Sequence, residues 1–477
     1  MCVQQRHHRC VVGVLMAVTI MVCGLYQVGI SRYTSATGVN TVSQNRILPS
    51  GNLVIAVQKY LNVSSAIKIT NIQRRNNISN DMILKALTRV TSLTKLRQSL
   101  EDVIVKRRNL TIGVTGGSIS TATGVESENL YANLLSDLLS GIGIGSSVQN
   151  GAVGATGSLY HFYCMESHLN LQQLDILLWE CAENDLVDDN GCVHQEELTR
   201  RILSLPSGPQ LIYVNFIMSQ TAESPVGTSA SGNCSKMLSK YYDVPSISLL
   251  DSVDDMISAR NTKSLFSPRD HNHPSTKSHN MIAIYLFYMI KNAFVYTLKE
   301  FNGKRDTMVK TSYPLANELP ESLYNSTVHI NQPQCWTTML SGSGTKTPLE
   351  AMERDIGWRL FTCPDRMAHQ GRVDKKRYWV SRKPNQTIVF SVSIEPYKNL
   401  KSKLLIGKIN ENSRGPALVW LDGEFSHRRH INVGYNTDNY SVYSAFTNIA
   451  PGNHAIAIRS GERPLKISTI ISVYDKD

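Results

Sequence analysis

Apolar residues along this chain keep a helical rhythm first and then alternate between strand-like and helix-like runs. From Asp81, behind Asn80 as a candidate cap, Ile83, Leu84, Leu87, Val90 and Leu100 recur near the helical period. The runs Leu110–Thr115, near Ser146–Asn150, Leu174–Glu180, Gln210–Met218 and Ser246–Leu250 then read as strands, most of them continuously apolar. Between and after them, Asn129–Leu139, Leu159–His168, Glu196–Leu203, Cys234–Tyr242 and Ser275 to about Leu298 read as helices. Strands that are apolar on both faces need cover on both faces. The expected fold is therefore α/β, a three-layer α/β/α sandwich around a parallel sheet, over residues 81–300. The stripe from Met281 to Tyr296 fits the core face of the last helix and is short for a membrane span.

The rhythm changes again near Asn331. Short alternating runs at Thr387–Val392, Lys403–Ile406, Ala417–Trp420 and Ala455–Ile458, separated by Gly, Pro and Asn turns, predict a smaller all-β sandwich domain over 331–477. Residues 301–330, with Pro314 and Pro320, form the expected linker. A length of 477 residues suits two folded units with extra segments. Trp358, Tyr378, Trp379 and Trp420 are available either for the sandwich core, the commoner use of such residues, or for stacking on a glycan.

The N-terminus sets the compartment. Arg6, His7, His8 and Arg9 precede about 20 residues without a formal charge, enough for a helix to cross a bilayer. Residues 1–9 are then a cytoplasmic tail, 10–30 a transmembrane signal anchor, and 31–80 a stem-like segment rich in Ser, Thr and Asn. A cleaved signal peptide ending near Gly24 is the alternative, and both place the body in the secretory pathway as a lumenal, extracellular or secreted protein. Cys164, Cys181, Cys192, Cys234, Cys335 and Cys363 form an even set in that body, with Cys335–Cys363 the preferred pair because both lie in the C-terminal unit. Sequons begin at Asn62, Asn77, Asn109, Asn233, Asn325, Asn385 and Asn439. The net charge of +11 is dispersed in short clusters such as Lys106–Arg108 and Lys375–Arg377, which argues against a nucleic-acid partner.

The chemistry collects at predicted strand ends, where open α/β sheets place their sites. Ser118 stands in a Gly-Gly-Ser turn after the first strand, and Asp270 and His273 stand just before the last helix, spaced so that one short turn brings both to the same side. Gly154 follows the second strand and Asn184 the third. No Gly-x-Ser-x-Gly elbow is present, because Ser120 occupies the place of its second glycine. Asp185 and Asp188 attract no converging set of metal ligands, so neither metal nor cofactor is expected.

These blocks, a Ser, a Gly, an Asn and an Asp-x-x-His in that order between Arg108 and Tyr296, resemble those of the SGNH or GDSL hydrolase superfamily. The likeness is greatest to a subgroup with Gly-Gly-Ser-Ile in the first block, here Gly116–Ile119, and Glu-x-Ala-x-Asn-Asp in the third, here Glu180–Asp185. Gly117 replaces the Asp usual before the nucleophile, and Ala182 stands where many members have Gly. The resemblance implies a parallel, flavodoxin-like sheet and a serine esterase with Ser118, Asp270 and His273 catalytic. The Ser118 and Gly154 backbone N–H groups and the Asn184 amide would form the oxyanion hole. The expected substrate is an acylated small molecule or glycan, with O-acetyl the favoured ester. An acyltransferase using the same site, and a non-catalytic membrane-tethered glycan-binding protein, are the alternatives.

Overall fold

The computed structural model describes residues 69–87, 89–90, 93–185, 191–205, 208–223, 230–303, 319–324, 333–362, 377–397, 400–409, 415–433 and 440–474. The expected tail, membrane segment and most of the stem lie outside these residues, as do Asp188 and Cys363.

Five strands, β1 (Leu110–Gly116), β2 (Ser146–Asn150), β3 (Ile176–Glu180), β4 (Gln210–Asn215) and β5 (Ser246–Ser248), form one sheet in the order β2-β1-β3-β4-β5. All its pairings are parallel. This is the flavodoxin-like order, and the apolar strands explain it: β3 and β4 are buried along their whole length. One face is covered by helices Thr94–Lys106, Tyr131–Ser140 and Thr276–Gly303, whose Leu96, Leu100, Leu135 and Met281–Phe287 join the core of Ile112, Val114, Ile212 and Val214. On the other face Phe162, Leu198, Ile202 and Leu238, from helices Ser158–Cys164, Gly191–Leu203 and Ala230–Tyr241, close over Leu177, Trp179 and Leu211. Within helix Thr276–Gly303 the stretch Thr276–Glu300 is long and apolar enough to cross a membrane by composition, and it is the buried core helix of this layer.

The first helical pattern divides. Helix Asn80–Ala86 is capped by Ser79, whose hydroxyl accepts from the Met82 N–H, and a second helix starts at Thr94. Between them Arg89 forms a bridge with Ser246, so tertiary pairing interrupts a helix that periodicity alone joins. Ile69 and Ile78, in the last part of the segment read as a stem, are buried in the same core.

The C-terminal strands form two antiparallel sheets. One has the order β13-β12-β15-β10-β7, from Arg429–Val433, Gly415–Leu421, Gly452–Arg459, Thr387–Ile394 and Ala351–Arg354. The other has the order β14-β11-β16-β9-β8, from Tyr440–Ile449, Ser402–Ile409, Lys466–Tyr474, Arg377–Ser381 and Trp358–Thr362, with β6 (Gln334–Thr337) pairing β16. Alternation along β10 buries Ile388, Phe390, Val392 and Ile394 between the sheets. Trp358, Tyr378, Trp379 and Trp420 are all buried, so these four serve packing and offer no exposed stacking platform. Trp358 and Trp379 place their indole N–H groups on the Gln386 and Leu349 carbonyls.

Two disulfides, Cys164–Cys335 and Cys192–Cys234, fit a lumenal or extracellular setting. The first corrects the expected Cys335–Cys363 pair. Cys335 lies on β6, which faces helix Ser158–Cys164, and shares a cluster with Tyr160 and Tyr440, so its partner comes from the α/β layer across 171 residues of sequence. Cys181 is buried and free. The sequon residues Asn77, Asn109 and Asn385 are exposed.

Candidate active site

Strand β1 ends at Gly116, and the chain turns at once because the Gly117 N–H is taken by the Glu180 carbonyl at 3.2 Å, on the neighbouring strand end. The Thr121 N–H returns to the Gly117 carbonyl and the Thr123 N–H to the Ser118 carbonyl, closing a compact turn. Ser118 is half-buried on its crest, between the fully buried Gly117 and Ile119.

His273 reaches this hydroxyl from the loop before the last helix, with Nε2 2.9 Å from Ser118 Oγ. Its Nδ1 lies 2.7 Å from Asp270 Oδ2, while Asp270 Oδ1 accepts the backbone N–H groups of Asn272 and His273 at 3.0 Å. The turn is the short one that an Asp-x-x-His spacing allows, with His271 at φ 56°. Burial works against the Asp270 charge. The two N–H donors and the His273 imidazole outweigh it, and the carboxyl lies below its ordinary range. Gly124 carries φ 89°, and a Cβ there would come within 3.1 Å of both His273 Cβ and Ser267 Cβ, so this glycine lets the Ser118 and His273 loops approach.

Asn184 stands against the residue before the serine. A Cβ on Gly117 would lie 1.9 Å from Asn184 Oδ1 and 3.1 Å from Nδ2. That contact gives a physical reason for glycine at this position. Asn184 is held by its own N–H on the Cys181 carbonyl at 2.9 Å, and by its neighbour Asp185. The buried Asp185 carboxylate accepts the Ser158 N–H at 2.7 Å, the Ser158 hydroxyl at 2.5 Å and the Gln195 amide at 3.0 Å. It thereby caps helix Ser158–Cys164 from a different loop. Burial lifts this carboxyl to about 6, with the Ser158 and Gln195 bonds pulling the other way.

Gly154 lies buried in the loop after β2, where the Val153 N–H donates to the Gly116 carbonyl at 3.0 Å and Ala155 takes φ 58°. The structure thus joins Ser118, His273 and Asp270 directly, sets Asn184 against their turn, and brings the Gly154 loop to the same strand end.

Three further residues support the turn, and of these only Glu180 lies in a block that the sequence singles out. His161 is wholly buried, with Nδ1 2.7 Å from Thr115 Oγ1 and Nε2 within hydrogen-bond distance of the Gly116 carbonyl and Thr156 Oγ1. Burial pulls its pKa down to about 3, so it is a neutral tie between β1 and the Gly154 loop. Asn150 donates to the Ser120 carbonyl at 2.8 Å and accepts the Ala152 N–H at 3.0 Å, while its own carbonyl accepts the N–H of Ser343 from the C-terminal part at 2.8 Å. Glu180, wholly buried at the end of β3, accepts the Ser120 hydroxyl at 3.1 Å. A His beside an apolar helix face and a Glu ending an apolar strand are legible only as types. Their partners come from other loops.

No protein-family model matches the sequence, and no curated protein matches it. Among solved structures, the chain is similar in fold to a two-domain esterase active on acetylated mannans, with a TM-score of 0.52 and 15% identity over 81% of this chain and 96% of that one. The same esterase co-crystallised with mannopentaose gives a TM-score of 0.53 and 14% identity over 83% and 98%. What the chain shares with that two-domain esterase is the architecture, a parallel α/β sheet followed by antiparallel β-sheets.

Proposed function

We propose that this chain is a serine esterase of the SGNH type, working in the secretory pathway and removing an acyl group, favoured as O-acetyl, from a carbohydrate. The observation that carries the reading is the relay Ser118 Oγ, His273 Nε2, His273 Nδ1, Asp270 Oδ2, with steps of 2.9 and 2.7 Å, at the C-terminal edge of the parallel sheet.

In this reading His273 accepts the Ser118 proton as Oγ attacks the ester carbonyl carbon, and Asp270 holds the imidazole tautomer and balances its charge. The carbonyl oxygen becomes an oxyanion facing the Ser118 and Gly154 N–H groups and the Asn184 amide. Collapse of the tetrahedral state expels the sugar alkoxide, which takes the proton from His273 and leaves an acyl-Ser118 ester. Water, deprotonated by His273, then attacks the acyl carbon; the bond to Ser118 Oγ breaks, Oγ takes the proton back from His273, and the carboxylic acid leaves.

The carbohydrate substrate is supported by the likeness in architecture to an esterase active on acetylated mannans. The compartment is supported by the two disulfides and the apolar N-terminal segment, which would anchor the protein as single-pass type II. The test is turnover of a short-chain aryl acetate and of acetylated manno-oligosaccharides by the full chain and by Ser118→Ala. The reading expects release of acetate from both substrates by the wild type alone, and equal turnover by the two proteins contradicts it.

A further inference from the structure

Beneath the nucleophile turn lies a carboxyl group that the reaction above does not use. Glu180 is wholly buried, and its Oε2 takes the Ser120 hydroxyl at 3.1 Å. Ser120 Oγ in turn lies 3.0 Å from the Tyr131 hydroxyl. A Cβ on Gly116 would sit 2.9 Å from Glu180 Oε2, so the carboxyl is pressed against the residue two before the serine. The backbone of the same residue accepts the Gly117 N–H. Both the side chain and the main chain of Glu180 therefore hold the turn that carries Ser118.

The surroundings decide its charge state. The titratable groups near it are Tyr131 from the helix above, Cys181, Glu183 and Asp185 from its own loop, and His279, which stacks on Tyr131. None supplies a cation. His279 is itself buried, with its pKa lowered to about 3, and among the described residues no Lys or Arg forms an ion pair with Glu180. Among the described residues Glu180 Oε1 has no hydrogen-bond partner, an expensive position for an anion and a tolerable one for a neutral acid.

We propose that Glu180 is a positioning residue that works as a neutral carboxylic acid, fixing the Gly117–Ser120 turn and keeping negative charge away from the oxyanion site. The proposal rests on the esterase reading and adds to it a requirement on the protonation of a residue outside the relay. Burial lifts the Glu180 carboxyl to about 8, against the pull of Ser120 and of the Gly117 and Ser120 N–H groups. The sign follows directly. The acid is neutral and the turn competent below that pH, and ionisation above it puts an anion beside the place where the oxyanion must form.

The experiment measures kcat, KM and the rate of Ser118 labelling by a serine-directed phosphonate against pH, for the wild type, Glu180→Ala, Glu180→Gln and Ser118→Ala. Glu180→Ala is expected to lower kcat about 10²-fold with little change in KM, the cost of a turn displaced by about an ångström. Glu180→Gln, an uncharged isostere, is expected to recover turnover at neutral pH and to remove the loss that the wild type shows as the pH rises through about 8. A Glu180→Gln enzyme as slow as Glu180→Ala, or one that keeps the wild-type alkaline loss, overturns the proposal while leaving the esterase reading standing. Equal labelling of the wild type and Ser118→Ala overturns both. If Glu180→Ala does not fold, the pH profile of Glu180→Gln decides alone.

Discussion

Replacing Gly117 with Ala tests the oxyanion assignment without touching a reacting group. The added methyl would stand 1.9 Å from Asn184 Oδ1 and 2.6 Å from its Cγ, far inside contact distance. The backbone does not object, since Gly117 is not among the positive-φ residues. The obstructing atom is the end of a flexible side chain, so the fold yields by swinging the Asn184 amide aside and its stability changes little. Catalysis pays instead. Loss of one oxyanion donor costs about 3 kcal/mol of barrier, or about 10²–10³-fold in kcat. Because the donor acts on the transition state, kcat and kcat/KM fall together. Asn184→Ala is expected to cost the same, and the double variant no more than either, because both changes remove one interaction. The assay is aryl acetate turnover with a thermal melt as the folding control. A Gly117→Ala enzyme with wild-type kcat and an unchanged melt refutes the role given to Asn184, as does full additivity with Asn184→Ala.

The remaining predictions concern charge and covalent structure. Asp270→Asn lowers kcat by about 10²–10⁴-fold, since the lowered carboxyl pKa shows an anion matched to the imidazole. Stability owed to that anion is present above the ordinary carboxylate value and is lost as the pH falls through the lowered one. The wild-type melt therefore declines in acid more than that of Asp270→Asn, and parallel declines contradict this. Peptide mapping without reduction recovers Cys164–Cys335 and Cys192–Cys234, and a Cys335–Cys363 peptide contradicts the structure. Replacing both Cys164 and Cys335 with Ser costs about 2–5 kcal/mol in denaturant unfolding, and an unchanged midpoint rejects the bridge. For Glu180, whose folded pKa is raised, the protein binds more protons than the unfolded chain between the ordinary 4.5 and about 8, so its contribution to stability falls with rising pH across that window. Glu180→Gln removes this slope, and an identical slope in both proteins contradicts the burial argument.

Positions of the central strands of the parallel sheet were legible because β1, β3 and β4 are buried and largely apolar, whereas the edge strand β2 is mostly polar. Ser146–Asn150 is found as β2, and the first run extends one residue further, to Gly116. The errors have identifiable causes. β3 starts at Ile176, not Leu174, because Asp175 turns its carboxylate to Arg108 and the Thr111 N–H at the strand mouth. β4 stops at Asn215, whose amide bonds Ser246 Oγ, so the apolar residues up to Met218 continue as packed loop. The alternating C-terminal runs were readable as strands, since period-2 burial marks a sandwich, but the aromatic residues within them are core. The placement of Ser118, Gly154, Asn184, Asp270 and His273 at strand ends followed from the order of elements. Glu180 and Asp185 were legible as members of the third block, but their partners, like those of His161 and Asn150, were not, because each joins residues from separate loops and no local pattern encodes such a meeting. The Cys164–Cys335 bridge escaped for the same reason: it depends on which face of the second unit meets helix Ser158–Cys164.

The central claim is a covalent acyl group on Ser118. Turnover of an aryl acetate by the full chain, quenched in acid and digested, tests it by peptide mass. The account predicts one acetyl group on the peptide containing Ser118, accumulating further in His273→Ala if deacylation is slowed more than acylation, and absent from Ser118→Ala. Steady turnover with no acetyl on Ser118, or acetyl carried by another residue, would contradict it.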